Sequence, residues 1–138
     1  MFVLDTNVVS ELRKANTGKA NANVVAWANS VLPASLFLSA ISILELEMGI
    51  LLIERRDQEQ AKMLRNWLEN QVLPTFEERI LVVDTAVARQ CARLHVPDPC
   101  SERDALIAAT ALVHGMTVVT RNVDDFKPTG IAVLNPWE

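Results

Sequence analysis

The chain alternates between short apolar runs and longer stretches in which apolar residues return every three or four positions. The runs are Phe2-Val3-Leu4, Leu36-Phe37-Leu38, Ile80-Leu81-Val82-Val83 and Thr117-Val118-Val119-Thr120, with a further candidate at Ile131-Ala132-Val133-Leu134. A strand with one wet face alternates apolar and polar residues. These runs are apolar nearly throughout, which predicts strands covered on both faces, as in a parallel sheet between helices. Val24, Val25, Trp27 and Val31 predict a helix that ends before Pro33. Ile43, Leu46, Ile50 and Ile53 place another from Ser42 to about Arg56, and Leu64, Trp67, Leu68 and Val72 a third from Asp57 to Val72. Thr85 to Leu94 and Glu102 to His114 complete the set, the last closing at Gly115, a residue type favoured just past a helix end. Strands interleaved with helices in this order predict an α/β fold, a three-layer α/β/α sandwich on a central parallel sheet with right-handed crossovers.

At 138 residues the chain suits one domain, 1–138, and is too short for two. Half of its residues are apolar and 22% are charged, a globular composition. The start, Met1-Phe2-Val3-Leu4-Asp5, has no basic region before a long apolar run, and no uncharged stretch approaches the ~20 residues of a membrane span. The expectation is a cytoplasmic protein. Cys91 and Cys100 lack zinc-finger spacing and read as reduced structural thiols. The net charge of -4 runs against a polyanionic partner, since nucleic-acid binders usually carry a basic excess.

In open parallel sheets the ligand crevice lies beyond the carboxyl ends of the strands, where helix N-termini also point. Asp5 follows the first strand. Glu45 falls in the first turn of the helix after the second, Asp104 in the first turn of the helix before the fourth, and Asn122 and Asp125 follow the fourth. Two carboxylates at about 4 Å repel by roughly 4 kcal/mol at an effective dielectric near 20, so such a cluster needs a cation. With no His or Cys in the set, hard Mg2+ or Mn2+ suits it, and that pairing means phosphoester chemistry. Plainer readings compete. Ser42-Ile43-Leu44-Glu45 and Ser101-Glu102-Arg103-Asp104 both match a capping box. Asp5 suits a strand-end turn with Asn7 capping a short helix through Arg13, and Asp124 and Asp125 suit a solvated loop. Joint placement at one sheet edge is what separate caps would not require.

These residues sit in the phrases Leu4-Asp5-Thr6-Asn7, Leu44-Glu45-Leu46-Glu47-Met48-Gly49, Asp104-Ala105-Leu106-Ile107-Ala108-Ala109-Thr110-Ala111, Val119-Thr120-Arg121-Asn122-Val123-Asp124-Asp125-Phe126 and Asn135-Pro136-Trp137. In order and spacing they resemble the PIN-domain family, specifically its VapC and FitB-type toxins, from end to end. The resemblance implies a Mg2+- or Mn2+-dependent endoribonuclease, a homodimer, and a cognate antitoxin that blocks the site, the pair assembling on operator DNA. It marks Asp5, Glu45 and Asp104 as metal-binding acids, Asp125 or Asn122 as the fourth position, and Thr6 and Thr120 as supporting hydroxyls.

Four acids held by metal would leave the other 13 of the 17 to balance 13 Lys and Arg, which removes the charge objection. Arg13, Lys14, Arg103 and Arg121 are near the proposed site in sequence and are candidates for phosphate contacts. The arm from Ile43 to Val72 carries Leu51, Leu52, Met63 and Trp67, suited to core, dimer seam or an antitoxin groove. Three other readings stand beside the ribonuclease: a toxin–antitoxin DNA regulator with an idle site, a PIN-like DNA nuclease, and a phosphatase using Asp5. Asn7 removes the Asp-x-Asp arrangement that the phosphatase needs.

Overall fold

The computed structural model describes residues 1–138. Strands β1 (Phe2–Leu4), β2 (Leu36–Ser39), β3 (Ile80–Leu81), β4 (Thr117–Val119) and β5 (Val133–Leu134) form one sheet in the order β3-β2-β1-β4-β5. Every neighbouring pair is parallel. The helices are α1 (Thr6–Arg13), α2 (Ala22–Ser30), α3 (Ala40–Glu54), α4 (Gln58–Trp67), α5 (Leu73–Thr75), α6 (Thr85–Leu94), α7 (Glu102–His114) and α8 (Val123–Phe126). A π-helical turn over Leu68–Val72 joins α4 to α5, so the arm expected from Asp57 to Val72 extends to Thr75. None of these helices is long and apolar enough to cross a membrane.

The central strands are covered on both faces, as their unbroken apolar character predicts. On one side Leu4, Leu36, Leu38 and Val119 pack with Val8, Val24, Leu46 and Leu68. On the other, Val3 and Val118 pack with Ile107, Ala108 and Ala111 of α7 and Phe126 of α8. The edges are shorter than the sequence predicts. β3 stops at Leu81 because its partner β2 gives way to α3 after Ser39, the last paired residue, and Val82 is left 63% exposed. β5 begins at Val133, since Gly130 at φ 71° and the Ile131 amide bonded to Thr129 Oγ1 still belong to the preceding turn.

Two helices also start earlier than expected, and for one reason. The residue at the end of a strand, Asp5 just after β1 and Ser39 as the last of β2, caps the next helix directly, with no loop between them. Asp5 Oδ1, not the Asn7 side chain, caps α1 by accepting the Thr6 amide at 2.8 Å. Ser39 Oγ, not Ser42, caps α3 by accepting the Ile41 amide at 3.0 Å. Glu45 therefore lies in the second turn of α3, too far in for a capping box. α7 does close at Gly115 in the left-handed conformation.

The arm packs back on the sheet through Leu46, Ile50, Leu68 and Val72, and Glu47 joins α3 to α4 by an ion pair with Arg65 at 2.7 Å. The Arg79 guanidinium donates to the carbonyls of Pro33, Leu36 and Thr75 at 2.6 Å each, fastening the end of the arm to the start of β2. Trp67 is half-buried against the core. Leu51, Leu52 and Met63 are not core: with Leu44 and Met48 they are exposed on the outer side of the arm. Burial separates two leucines of the arm. Leu68→Ala should cost about 2–5 kcal/mol in urea denaturation, whereas Leu51→Ala in a monomer should stay within about 0.5 kcal/mol. A large Leu51 effect would mean that this outer side is covered in solution.

Candidate active site

The sheet order reverses at β1, with β2 and β3 laid down on one side and β4 and β5 on the other. The carboxyl ends of β1 and β4 are thus adjacent at the topological switch point, where α/β sheets open a crevice. Asp5 follows β1 and donates its amide to Val119 O at 2.8 Å, while Thr120 follows β4 and donates its amide to Leu134 O at 3.0 Å. The ladder holds both backbones.

Asp5 is 5% exposed and both carboxylate oxygens are occupied. Oδ1 accepts the Thr6 amide, and Oδ2 accepts the Thr120 hydroxyl at 2.8 Å and Asn7 Nδ2 at 3.3 Å. The Thr6 hydroxyl donates to Glu45 Oε1 at 2.7 Å and lies 3.0 Å from the buried Ser42 Oγ. Glu45 Oε2 faces Arg103 Nη1 at 3.4 Å. Hydroxyls therefore tie the first strand end to α3 and to the fourth strand end.

Asp104 is the third residue of α7, yet the Ser101 side chain makes no cap bond and no capping box forms there. Its carboxyl lies near the Ser101 hydroxyl and within reach of the charges of Asp125, Glu45 and Arg103. Burial pushes it above its ordinary value, Asp125 and Glu45 push the same way, and the Ser101 hydroxyl and Arg103 oppose. For Asp5, burial again leads, with Glu45 and Asp104 adding to it against the Thr120 and Thr6 hydrogen bonds. Asp5, Glu45, Asp104 and Asp125 thus lie near enough for their charges to act on one another. The site is an open cup, since no three of the four have oxygens all within 4.8 Å of one another.

Asn122 donates its amide to Thr120 Oγ1 at 3.0 Å and accepts the Asp125 amide on its carbonyl at 3.1 Å. Its side chain lines a polar groove of about 540 Å³ with Arg121, Asp125, Lys127, Asn135 and Glu138. Asp124 is the solvated acid of that segment, paired with Lys127 at 2.7 Å, and Lys127 holds its carboxyl below the usual range. Arg121 also stacks over Trp137, with 5.4 Å from its guanidinium carbon to the ring centroid. Of the four cations expected near the site, Arg103 and Arg121 are there. Arg13 instead lies over Trp67 in an apolar cleft of about 160 Å³, and Lys14 pairs with Glu11.

Sequence reasoning gave Asn7 and Ser42 only capping roles. Asn7 bridges Asp5 and Thr120 and accepts the Arg121 amide on Oδ1, while Ser42 sits behind Thr6. Asn7 did carry a signal, its place in the phrase Leu4-Asp5-Thr6-Asn7. Ser42 had none that separates it from a cap.

A family model described as the PIN domain matches residues 2–131. The chain belongs to the PIN-domain family. Within it the chain sits with the VapC and FitB-type toxins. It is 38% identical to a protein named VapC ribonuclease Y4jK from Sinorhizobium fredii, covering 100% of this chain and 99% of that one. It is likewise 38% identical to Toxin FitB from Neisseria gonorrhoeae over 99% of each. Among solved structures, a FitAB complex bound to an IR36 DNA fragment matches with a TM-score of 0.88 at 36% identity, over 100% of this chain and 96% of that one. The five-stranded parallel sheet between helix layers is thus a PIN fold.

The raised carboxyls of this PIN chain have a consequence for stability. Asp5 and Asp104 bind protons more tightly folded than unfolded. From the ordinary value of 3.8 up through the raised ones, the folded state holds more protons, so stability falls as pH rises. Metal-free Asp104→Asn, which cannot ionise, should melt higher than wild type near neutral pH and lose that advantage below about pH 4. Calorimetry in EDTA across this range checks the sign, and a variant that melts lower at neutral pH would contradict it.

Proposed function

We propose that the chain is a divalent-metal-dependent endoribonuclease, the toxin of a type II toxin–antitoxin pair, working as one domain over 1–138 in the cytoplasm and restrained by a cognate antitoxin. The observation that carries this reading is the buried Asp5 at the switch point, tied by hydroxyls to Thr120 and towards Glu45, with Asp104 near enough to act on its charge. Full-length similarity to a protein named as a ribonuclease supports the choice of substrate.

The donor set fits a hard cation. All four groups are carboxylates, and a spacing wider than a closed ligand shell leaves room for the waters that Mg2+ retains. Asp5, Glu45, Asp104 and Asp125, with Asn122 assisting, would hold Mg2+ or Mn2+. Bound there, the ion supplies an activated water and neutralises charge developing on the phosphoryl oxygens. Everything else falls to this chain's own groups. Thr120 and Asn7 fix the direction of the Asp5 carboxylate, and Thr6 fixes Glu45. Arg103 and Arg121 stand at the rim, where they meet phosphates on either side of the scissile bond.

The apolar cleft formed by Val9, Leu12, Trp67 and Phe76, with Arg13 at its wall, suits an antitoxin helix, and the outer side of α3 suits a homodimer seam. The FitAB complex on DNA favours a second activity, operator binding by the toxin–antitoxin pair. That activity accompanies the nuclease and does not replace it.

The test incubates purified, partner-free chain with pooled structured RNAs and a DNA control in Mg2+, in Mn2+ and in EDTA. Divalent-dependent cleavage of RNA is expected. Asp5→Asn and Asp104→Asn should each lose at least about 100-fold in rate, because a bound ion contributes several kcal/mol to the transition state and 1.4 kcal/mol is tenfold. Preferred cleavage of DNA would move the reading to a DNA nuclease. Inertness combined with operator-dependent gel shifts of the antitoxin complex would leave a regulator with an idle site.

A further inference from the structure

Both cysteines of the chain and one of its two histidines meet outside the carboxylate cup, where the end of α6 faces the start of α7. Cys91 is buried on α6, and His95, four positions later, caps the end of that helix, so both lie on one face. The connecting loop returns Cys100 and Glu102 against them. Ligand atoms of Cys91, His95 and Glu102 all lie within 4.8 Å of one another. His95 Nε2 is 3.7 Å from Glu102 Oε2, and Cys100 Sγ is 3.8 Å from His95 Nδ1. A zinc tetrahedron with bonds of about 2.0–2.3 Å has edges of roughly 3.3–3.8 Å, so Cys91, His95 and Glu102 close on an ion by side-chain rotation, while Cys100 stays on the Nδ1 side of the ring.

A second observation points to a ligand. His95 Nε2 is buried and has no hydrogen-bond partner, a state that proteins rarely leave unexplained. Nδ1 accepts the Cys100 amide at 3.2 Å, which leaves the proton of the neutral ring on Nε2 with nowhere to go. We propose that Cys91, His95 and Glu102, with water completing the shell, form a second metal site, selective for Zn2+ over Mg2+, that fastens α6 to the first turn of α7. Thiolate and imidazole ligands favour this borderline-soft ion over the hard ions of the acidic cup. On loading through Nε2 the ring proton moves to Nδ1, the Cys100 amide bond is released, and the Cys91 thiol proton leaves to solvent. The site is independent of the nuclease reading.

The experiment uses reduced full-length chain, stripped with EDTA and kept in excess Mg2+ to occupy the carboxylates. Zn2+ is titrated against a chromophoric chelator, and Co2+ is followed by its thiolate charge-transfer absorption. One Zn2+ per chain is expected, with a melting temperature raised on the order of 5–10 °C at a hundredfold excess over Kd. Cys91→Ser and His95→Gln should each weaken Zn2+ by at least about 100-fold, the upper end of what losing even an outer partner of a metal ligand costs. Asp104→Asn should retain both the Zn2+ stoichiometry and the Co2+ band. Should Cys91→Ser fail to fold, His95→Gln and the exposed Glu102→Gln give the same readout. Uptake without a thiolate band, a band that survives Cys91→Ser, uptake that survives both His95→Gln and Glu102→Gln, or thiols that oxidise to a disulfide without taking up metal would overturn the proposal.

Discussion

A buried, hydrogen-bonded carboxylate at the end of the central strand is the constraint on which the rest depends. Removing Asp5 from water disfavours its charge, and Glu45 and Asp104 worsen the problem. The fold answers by surrounding it with donors: the Thr6 amide, the Thr120 hydroxyl and the Asn7 amide, each delivered by an element that the parallel ladder fixes. Those bonds are worth having only if the charge is kept. A neutral residue at this position would remove the repulsion outright. Retaining the acid in an unfavourable place is how a protein stores affinity for a cation, as perturbed carboxyls at functional sites commonly do.

The same network explains why the site is built on strand ends and not on mobile loops. Asp5 directly follows β1, Ser39 ends β2, and each caps a helix, so no slack lies between sheet and helix. Glu45 is then placed by counting turns along α3, and Thr6 checks its position with a 2.7 Å bond. Asp125 lies in α8, hung from Asn122, whose amide is held by Thr120. An error in any one element would be felt at Asp5, which is the rigidity that positioning a phosphodiester requires.

What the sequence disclosed follows from which forces are local. Strands β1, β2 and β4 were legible because burial on both faces leaves continuous apolar runs. At the edges, Val82 and Ile131 continue such runs although the ladder has already lost its partner, and pairing is a property of two strands. Asp5 stood out as a candidate because a charge directly after an apolar run is conspicuous. Helix starts were not, since Asp5, Asn7, Ser39 and Ser42 are all competent caps and only the strand ends decide among them. The roles of Asn7 and Ser42, and the meeting of Cys91 with His95, Cys100 and Glu102, depend on long-range contacts or on how a loop closes. Spacing along the chain records neither.

The first turn of α7 brings two chemistries together on one backbone. Glu102 and Asp104 are two positions apart, about 200° around a helix, so they leave it on opposite sides. Glu102 turns to the thiol–imidazole cluster at the end of α6, and Asp104 turns to the carboxylate cup. Between them Ala105 is fully buried against Val87 and Cys91, which leaves this turn little freedom to rotate. Whatever firms the α6–α7 junction therefore firms the placement of Asp104, and whatever loosens it is felt in the cup. Asp104 is the acid for which this matters most, because it comes from a helix N-terminus and lacks the ladder contacts that hold Asp5.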